Sequence, residues 1–363
     1  MPVQLLNVSY RAGSEVWLHP MNLSLAPGMN VLLGPTLSGK TTLMRVIAGL
    51  DRPSSGQVMS HGRDVTGVPV RQRKLAMVYQ QFINYPSLTV YENIASPLRL
   101  ARKTEAEIKQ RVEPIAESLR LTPYLDRYPT QLSGGQQQRT ALARALAKEA
   151  DLVLLDEPLV NLDYKLREEL RDELAQMFTV RGTTVVYATT EPNEALQLGG
   201  HTAVLAAGRL LHHGPTLDLF KHPPTLETAR AFSDPPMNEL PVRFDRHTGA
   251  ARLEDGLEIA LPAHAARREG GLPDRLVLGI RAHQMNLSPG GSASAAITGQ
   301  VELAEIGGSE TYVHLSRSGL SLIAQLPGVH DVEIGQNCTL HVDVGALYGF
   351  DMEGRLLFSP ERA

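Results

Sequence analysis

The chemistry of this sequence begins at Gly34-Pro35-Thr36-Leu37-Ser38-Gly39-Lys40-Thr41-Thr42, which follows the apolar triplet Val31-Leu32-Leu33 and precedes a helical pattern from Leu43 to Gly49. The run has the form G-x-x-x-x-G-K-[ST] in the strand, loop, helix context that gives the pattern its meaning. Backbone N–H groups of such a loop and of the helix start point at one anion. Lys40 is placed to reach the β- and γ-phosphates of a nucleotide and Thr41 to bind Mg²⁺. A second run, Leu152-Val153-Leu154-Leu155-Asp156-Glu157, is an apolar strand ending in two acids. Alone it reads as a strand end with solvated carboxylates. Beside a phosphate loop, Asp156 suits Mg²⁺ coordination through water, and Glu157 suits activation of a water. A third run, Ser133-Gly134-Gly135-Gln136, opens an alanine-rich helical stretch. Its glycines let backbone approach a phosphate closely, Ser133 offers a hydroxyl, and the helix presents its positive end.

Elements must hold these runs. The 363 residues, at about 150 per domain, suggest two or three domains. Apolar runs Val31 to Leu33, Leu75 to Tyr79, Leu152 to Leu155 and Thr184 to Ala188 alternate with helical patterns, as in an α/β sheet. Residues 101 to 128 read as mostly helical, an insertion within a helical subdomain at about 85–150. Prolines concentrate in Ser233-Asp-Pro-Pro-Met-Asn-Glu-Leu-Pro241, which places a boundary at 235/236 and gives domains 1–235 and 236–363. Beyond it, short alternating runs at Leu276 to Arg281, Ala296 to Leu303, Thr311 to Leu315, Leu320 to Gln325 and Asn337 to Val344 predict a small all-β barrel or sandwich.

Composition excludes several classes. With 42% hydrophobic and 20% charged residues the chain is an ordinary globular one. A net charge of -4 and no run of five basic residues argue against a nucleic-acid partner. No apolar stretch approaches the roughly 20 residues that span a bilayer, and no signal peptide opens the chain, so a cytoplasmic location is expected. The lone cysteine, Cys338, reads as a packing residue, and the twelve histidines form no ligand motif.

Phosphate loop, Leu132-Ser-Gly-Gly-Gln-Gln-Gln-Arg139 and acidic strand together resemble, in order and spacing, the ATP-binding subunits of ABC transporters. The resemblance implies an α/β P-loop ATPase with a helical subdomain and a C-terminal all-β accessory domain of TOBE or OB-like type, and it covers nearly the whole chain. It implies that two such domains sandwich ATP head to tail, Ser133 to Gln136 completing the partner's site. By the same resemblance Gln80 is the glutamine that contacts Mg²⁺ and the attacking water and senses the transporter subunit. Phe82 to Ile94 would form the groove for a membrane subunit, and Asn161-Leu162-Asp163, after an unusual Val160, the loop touching the opposite subunit.

Three positions depart from the family. Leu37 stands where glycine is common, which is expected to stiffen the loop. Thr190 occupies the place of a histidine that bonds the γ-phosphate, so transition-state stabilisation is expected to weaken; loss of one such donor costs about 10²–10³ in rate. Ala12 aligns with the aromatic residue that stacks on adenine, leaving Tyr10 or Trp17 to replace it. These departures suggest a heterodimer with a different ATPase subunit. The resemblance further implies two integral permease subunits, an extracytoplasmic solute-binding protein acting indirectly, and a position on the cytoplasmic face of a bacterial inner membrane. Leu278-Gly-Ile-Arg281 and Val301 to Leu315 resemble the maltose-transporter type, which points to carbohydrate or polyol import. The phosphate loop with Thr189-Thr-Glu-Pro192 is similar to the ATPase pairs of glycerol uptake systems. Two alternatives stay open: a catalytically weak regulatory subunit that binds ATP, and a soluble non-transport ABC ATPase.

Overall fold

The computed structural model describes residues 3–160, 164–179, 182–267, 270–290 and 293–360. They form two compact units, Met1–Thr216 and Leu217–Ala363. Among the described residues no helix is long and apolar enough to cross a membrane.

In the first unit a six-stranded sheet runs in the order Arg209–Pro215, His201–Ala206, Gly28–Leu33, Thr184–Thr189, Leu152–Asp156, Leu75–Val78. All neighbours are parallel except the edge pair Arg209–Pro215 and His201–Ala206. Leu152–Asp156 and Thr184–Thr189 are buried along their whole length. That is why they read as continuous apolar runs rather than alternating ones. A four-stranded antiparallel sheet, Glu15–Leu25, Val3–Ala12, Ser55–Ser60 and Arg63–Asp64, shares a core with the helix Lys40–Ala48 through Leu43, Met44, Val46 and Ile47.

Three further helices, Val90–Leu100, Glu105–Ser118 and Gly134–Ala147, each open with a capping box: Thr89 with Glu92, Thr104 with Glu107, Ser133 with Gln136. The helix expected over 101 to 128 is shorter. It ends at Ser118, because Arg120 takes a left-handed backbone at φ 52° and Pro123 cannot continue a helix.

The second unit is two antiparallel sheets around one core. The first runs Glu258–Ala260, Ala250–Arg252, Asn238–Asp245, Arg275–Ile280, Tyr348–Phe350, Leu356–Phe358. The second runs Met285–Asn286, Asn337–Asp343, Ser294–Ile306, Glu310–Arg317, Leu320–Pro327. Alternation along Ser294–Ile306 turns Ala295, Ile297 and Val301 inward to meet Leu240, Leu276 and Leu278. The units divide at 216/217 rather than at 235/236, because residues 217–235 pack with the β unit. The buried Arg281 guanidinium lies 4.0 Å from the Phe220 ring and donates to the carbonyls of Phe220 at 2.8 Å and Phe232 at 2.9 Å. A proline-rich stretch marks a helix stop, and here the chain stays docked on both sides of it.

Candidate functional site

The phosphate loop leaves the end of the strand Gly28–Leu33 and is folded too tightly for side chains at its glycines. A Cβ on Gly34 would lie 2.1 Å from the Leu205 carbonyl oxygen, and Gly39, at φ 99°, sits against Leu18 and the Trp17 carbonyl. Leu37 takes φ 66° and is 82% exposed, so its side chain points to water while its backbone adopts the conformation glycine would. The helix Lys40–Ala48 has no side-chain cap. Its first N–H groups are therefore left for an anion, and the buried Ser38 hydroxyl beside them has no hydrogen-bond partner among the described residues.

Lys40 is almost fully buried and folds back over the loop, its Nζ donating to the carbonyls of Gly34 at 2.8 Å and Pro35 at 3.0 Å. Burial pushes its pKa below the usual lysine value, while Glu157 and Asp156 oppose that shift. Glu157 Oε1 lies 3.8 Å from Nζ. The neighbouring Asp156 carboxylate is buried and accepts from the Thr41 hydroxyl. Its pKa is raised chiefly by burial, against the Thr41 bond, with Glu157 adding to the rise and Lys40 opposing it.

Glu157 is a non-glycine residue at φ 46°, just past the strand Leu152–Asp156. Its N–H donates to the Ala188 carbonyl at 3.1 Å, and its Oε2 accepts from Gln80 Nε2 at 2.8 Å. Gln80 follows the strand Leu75–Val78, so two neighbouring parallel strands deliver the amide and the carboxylate to one point. Thr190 is exposed at the end of the strand Thr184–Thr189, whose Thr189 carbonyl accepts from Gly34 N–H at 3.4 Å. The structure thus gathers Gly34–Thr42, Gln80, Asp156, Glu157 and Thr190 around one loop.

Ser133–Gln136 opens the helix Gly134–Ala147 and bonds within itself. Gln136 N–H donates to the Ser133 hydroxyl at 3.3 Å, and Ser133 N–H donates to the Gln136 side chain at 2.9 Å. Among the described residues no hydrogen bond or ion pair ties this turn to the phosphate loop. Phe82 to Ile94 is pinned by Asn93, which exchanges bonds with Tyr85, Leu88 and Thr89 backbone, and by Arg144 over the Tyr85 ring at 4.8 Å. Ile83 and Tyr85 stay exposed, whereas Ile94 is core. Trp17 is exposed with its backbone against Gly39, whereas Tyr10 packs on the core and Ala12 is exposed at its strand end. Asn161, Leu162 and Asp163 lie outside the described residues.

Sequence reasoning passed over Glu194. Its buried carboxyl accepts from the Thr189 hydroxyl at 2.6 Å and the Tyr187 hydroxyl at 3.2 Å, and Thr189 precedes Thr190 in the chain. Burial raises its pKa above the usual value, opposed by the Thr189 bond. The signal available was a glutamate on a helix pattern just after a strand of inward-facing Tyr and Thr.

Residues 18–160 match the sequence pattern of the ABC transporter family. The chain is 35% identical over 347 residues to the alpha-glucoside transport ATP-binding protein AglK of Rhizobium meliloti, covering 93% of this chain and 94% of that one. It is 36% identical over 341 residues to the sn-glycerol-3-phosphate import ATP-binding protein UgpC of Chromohalobacter salexigens, with 93% and 90% covered. It is 34% identical over 392 residues to the trehalose import ATP-binding protein SugC of Mycobacterium tuberculosis, with 99% and 98% covered. Among solved structures it resembles the dimeric post-hydrolysis state of the ATP-binding cassette MJ0796 bound to ADP and Pi, with TM-score 0.54 and 32% identity over 59% of this chain and 98% of that one. With this loop, these acids and relatives matched from end to end, the chain belongs to the ABC transporter family, among its ATP-binding and ATP-hydrolysing subunits.

Proposed function

We propose that this chain powers a bacterial importer of a small polar solute, a carbohydrate or a polyol such as glycerol, from the cytoplasmic face of the inner membrane. Its partners in this reading are two integral permease subunits and a second, different ATPase subunit. The relatives' names supply the solute class. The observation that carries the rest is that Ser133–Gln136, an exposed capped helix start, has no hydrogen bond or ion pair among the described residues to a phosphate loop where Lys40, Glu157 and Gln80 already meet. A site built that way is completed by another cassette.

The free N–H groups of the loop and helix start bind the β- and γ-phosphates, and Lys40 exchanges its carbonyl contacts for phosphate oxygens. The Thr41 hydroxyl, the Asp156 carboxylate and the Gln80 amide are hard oxygen donors that fit Mg²⁺, directly or through water; bound there, the ion would offset the phosphate charge. Glu157, held by Gln80, orients and polarises the attacking water. The water oxygen bonds the γ-phosphorus as its bond to the bridging oxygen breaks, and the proton passes toward the carboxylate. Thr190 offers one neutral hydrogen bond near the γ-phosphate, which motivates the pairing with a chain whose own site turns over faster. Exposed Ile83 and Tyr85 suit contact with a permease helix.

The test uses the whole complex purified from membranes. This chain should co-purify with two integral proteins. Glu157→Gln here should lower ATP turnover much less than the equivalent change in the partner ATPase. Equal losses, or full activity of this chain as a homodimer, would refute the unequal pairing, and recovery with ribosomes or DNA would refute the transport reading.

A further inference from the structure

In the second unit, three arginines stand side by side on the outer face of the six-stranded sheet. Arg243 on the strand Asn238–Asp245 is directly opposite Arg252 on one neighbour and Arg275 on the other. Directly opposed residues in an antiparallel sheet point to the same side, and like charges in that position repel. One of the three is neutralised: Glu258, opposite Arg252 on the next strand, accepts from Arg252 Nε at 3.1 Å. Arg243 and Arg275 have no ion pair among the described residues. Asp274 is engaged by Arg246 at 3.0 Å and Asp255 by Arg317 at 2.7 Å, and Glu254, the one acid lining the neighbouring cavity, forms no ion pair with the arginines among the described residues.

The row borders a cavity of about 500 Å³ whose lining includes Arg243, Arg252, Arg275, Glu254, Pro241 and Met352. Part of this face is covered. Val277, two residues along from Arg275, and Phe350 opposite it pack under the helix Leu226–Ala231, and Arg230 of that helix bonds Glu239 at 2.5 Å. The arginine end of the face is left open, its three guanidinium groups outnumbering the carboxylates of Glu258 and Glu254, in a chain that is net acidic.

We propose that this cavity binds a phosphate monoester across Arg243 and Arg275. A monocarboxylate has two oxygens and is filled by one guanidinium fork. Two adjacent free forks match a dianion with three terminal oxygens, which bridges them and cancels their repulsion. The cavity volume leaves room for a small organic group beyond the phosphate. The same chemistry is offered by a soluble ester and by a phosphomonoester lipid headgroup.

The experiment titrates the full chain, its phosphate loop filled with a non-hydrolysable ATP analogue and Mg²⁺, with methyl phosphate, acetate, and NaCl at matched ionic strength. Vesicles of phosphatidylcholine with and without phosphatidic acid form the second arm. Saturable binding of methyl phosphate, weakened at least tenfold by Arg243→Gln with Arg275→Gln and partly by Arg275→Lys, is expected. Without ligand the double variant should melt no lower than the parent, since it relieves repulsion; if it fails to fold, Arg275→Gln alone is measured. Binding of phosphatidic acid vesicles but not methyl phosphate, lost in the variant, assigns the lipid as source. No binding in either arm, binding unchanged in the variant, or binding matched by acetate or NaCl overturns the site.

Discussion

Glu157 shows what the active region asks of single residues. Its backbone sits in the left-handed region, an arrangement a non-glycine residue holds only when neighbours over-determine it, and the Ala188 carbonyl, Gln80 and Lys40 do so. The type and place of this acid were legible in sequence, since they follow from its strand; its contact with Gln80 joins residues far apart in the chain. Trp17 is a similar case. It is the protein's single tryptophan, exposed and with its backbone carbonyl against Gly39; in the role of the adenine-stacking aromatic in place of Ala12, it should have its fluorescence quenched by ATP. Trp17→Ala should raise the Kd for ATP about fivefold, the low end of a base-stacking contact. Unchanged affinity with an unquenched indole would remove Trp17 from the adenine site. Glu194 was not legible, because its bonds to Thr189 and Tyr187 depend on burial. Its folded pKa is raised, so neutral carboxyl is the form the fold prefers. The resulting stability is fully present below the ordinary value of 4.5 and is lost as pH rises through the folded pKa. Glu194→Gln, which keeps an acceptor for Thr189 without the charge, should therefore match wild type in melting below about pH 4.5 and exceed it at neutral pH. Equal melting at both pH values would show that the carboxylate is not penalised by its surroundings.

At the scale of elements, the helix starting at Gly134 uses Ser133 twice: as cap of its own helix and, in the proposed sandwich, as donor to a second cassette. Thr104 gives the helix Glu105–Ser118 the same capping box with no such second role. Ser133→Ala and Thr104→Ala should each cost about 1 kcal/mol of stability as lost caps. Only Ser133→Ala should also slow ATP turnover of the assembled complex, and equal turnover in the two variants would reduce Ser133 to a cap. Both boxes follow from a four-residue spacing and so were readable in sequence. The early end of the helix Glu105–Ser118 was less so. Apolar spacing continues past it to Leu119 and Leu121, and the stop is set by the backbone turn at Arg120.

Separate hydrophobic cores lie under the phosphate loop and between the β-sheets. A ligand that binds only the first unit when folded stabilises that unit by mass action, about 2.7 kcal/mol at a hundredfold excess over Kd. Leu278→Ala removes a fully buried side chain from the second core and should cost about 2–5 kcal/mol there. Calorimetry of the full chain should show one transition raised by the ATP analogue and another lowered by Leu278→Ala. A single transition moved by both would mean that the two units melt together.

The phosphate loop, the acidic strand end and the helix start at Ser133 were legible in sequence as runs, because each is contiguous and its local backbone follows from its own residue types. The β character of the second unit was legible for the same kind of reason, a period of two over short runs. Tertiary structure decided which runs meet. It brought Gln80 to Glu157 and Thr189 to Glu194, docked residues 217–235 on the β unit through Arg281, and set the register that lines up Arg252, Arg243 and Arg275. Such pairings depend on strand order, register and burial, which are properties of the packed chain and are written in no single stretch of it.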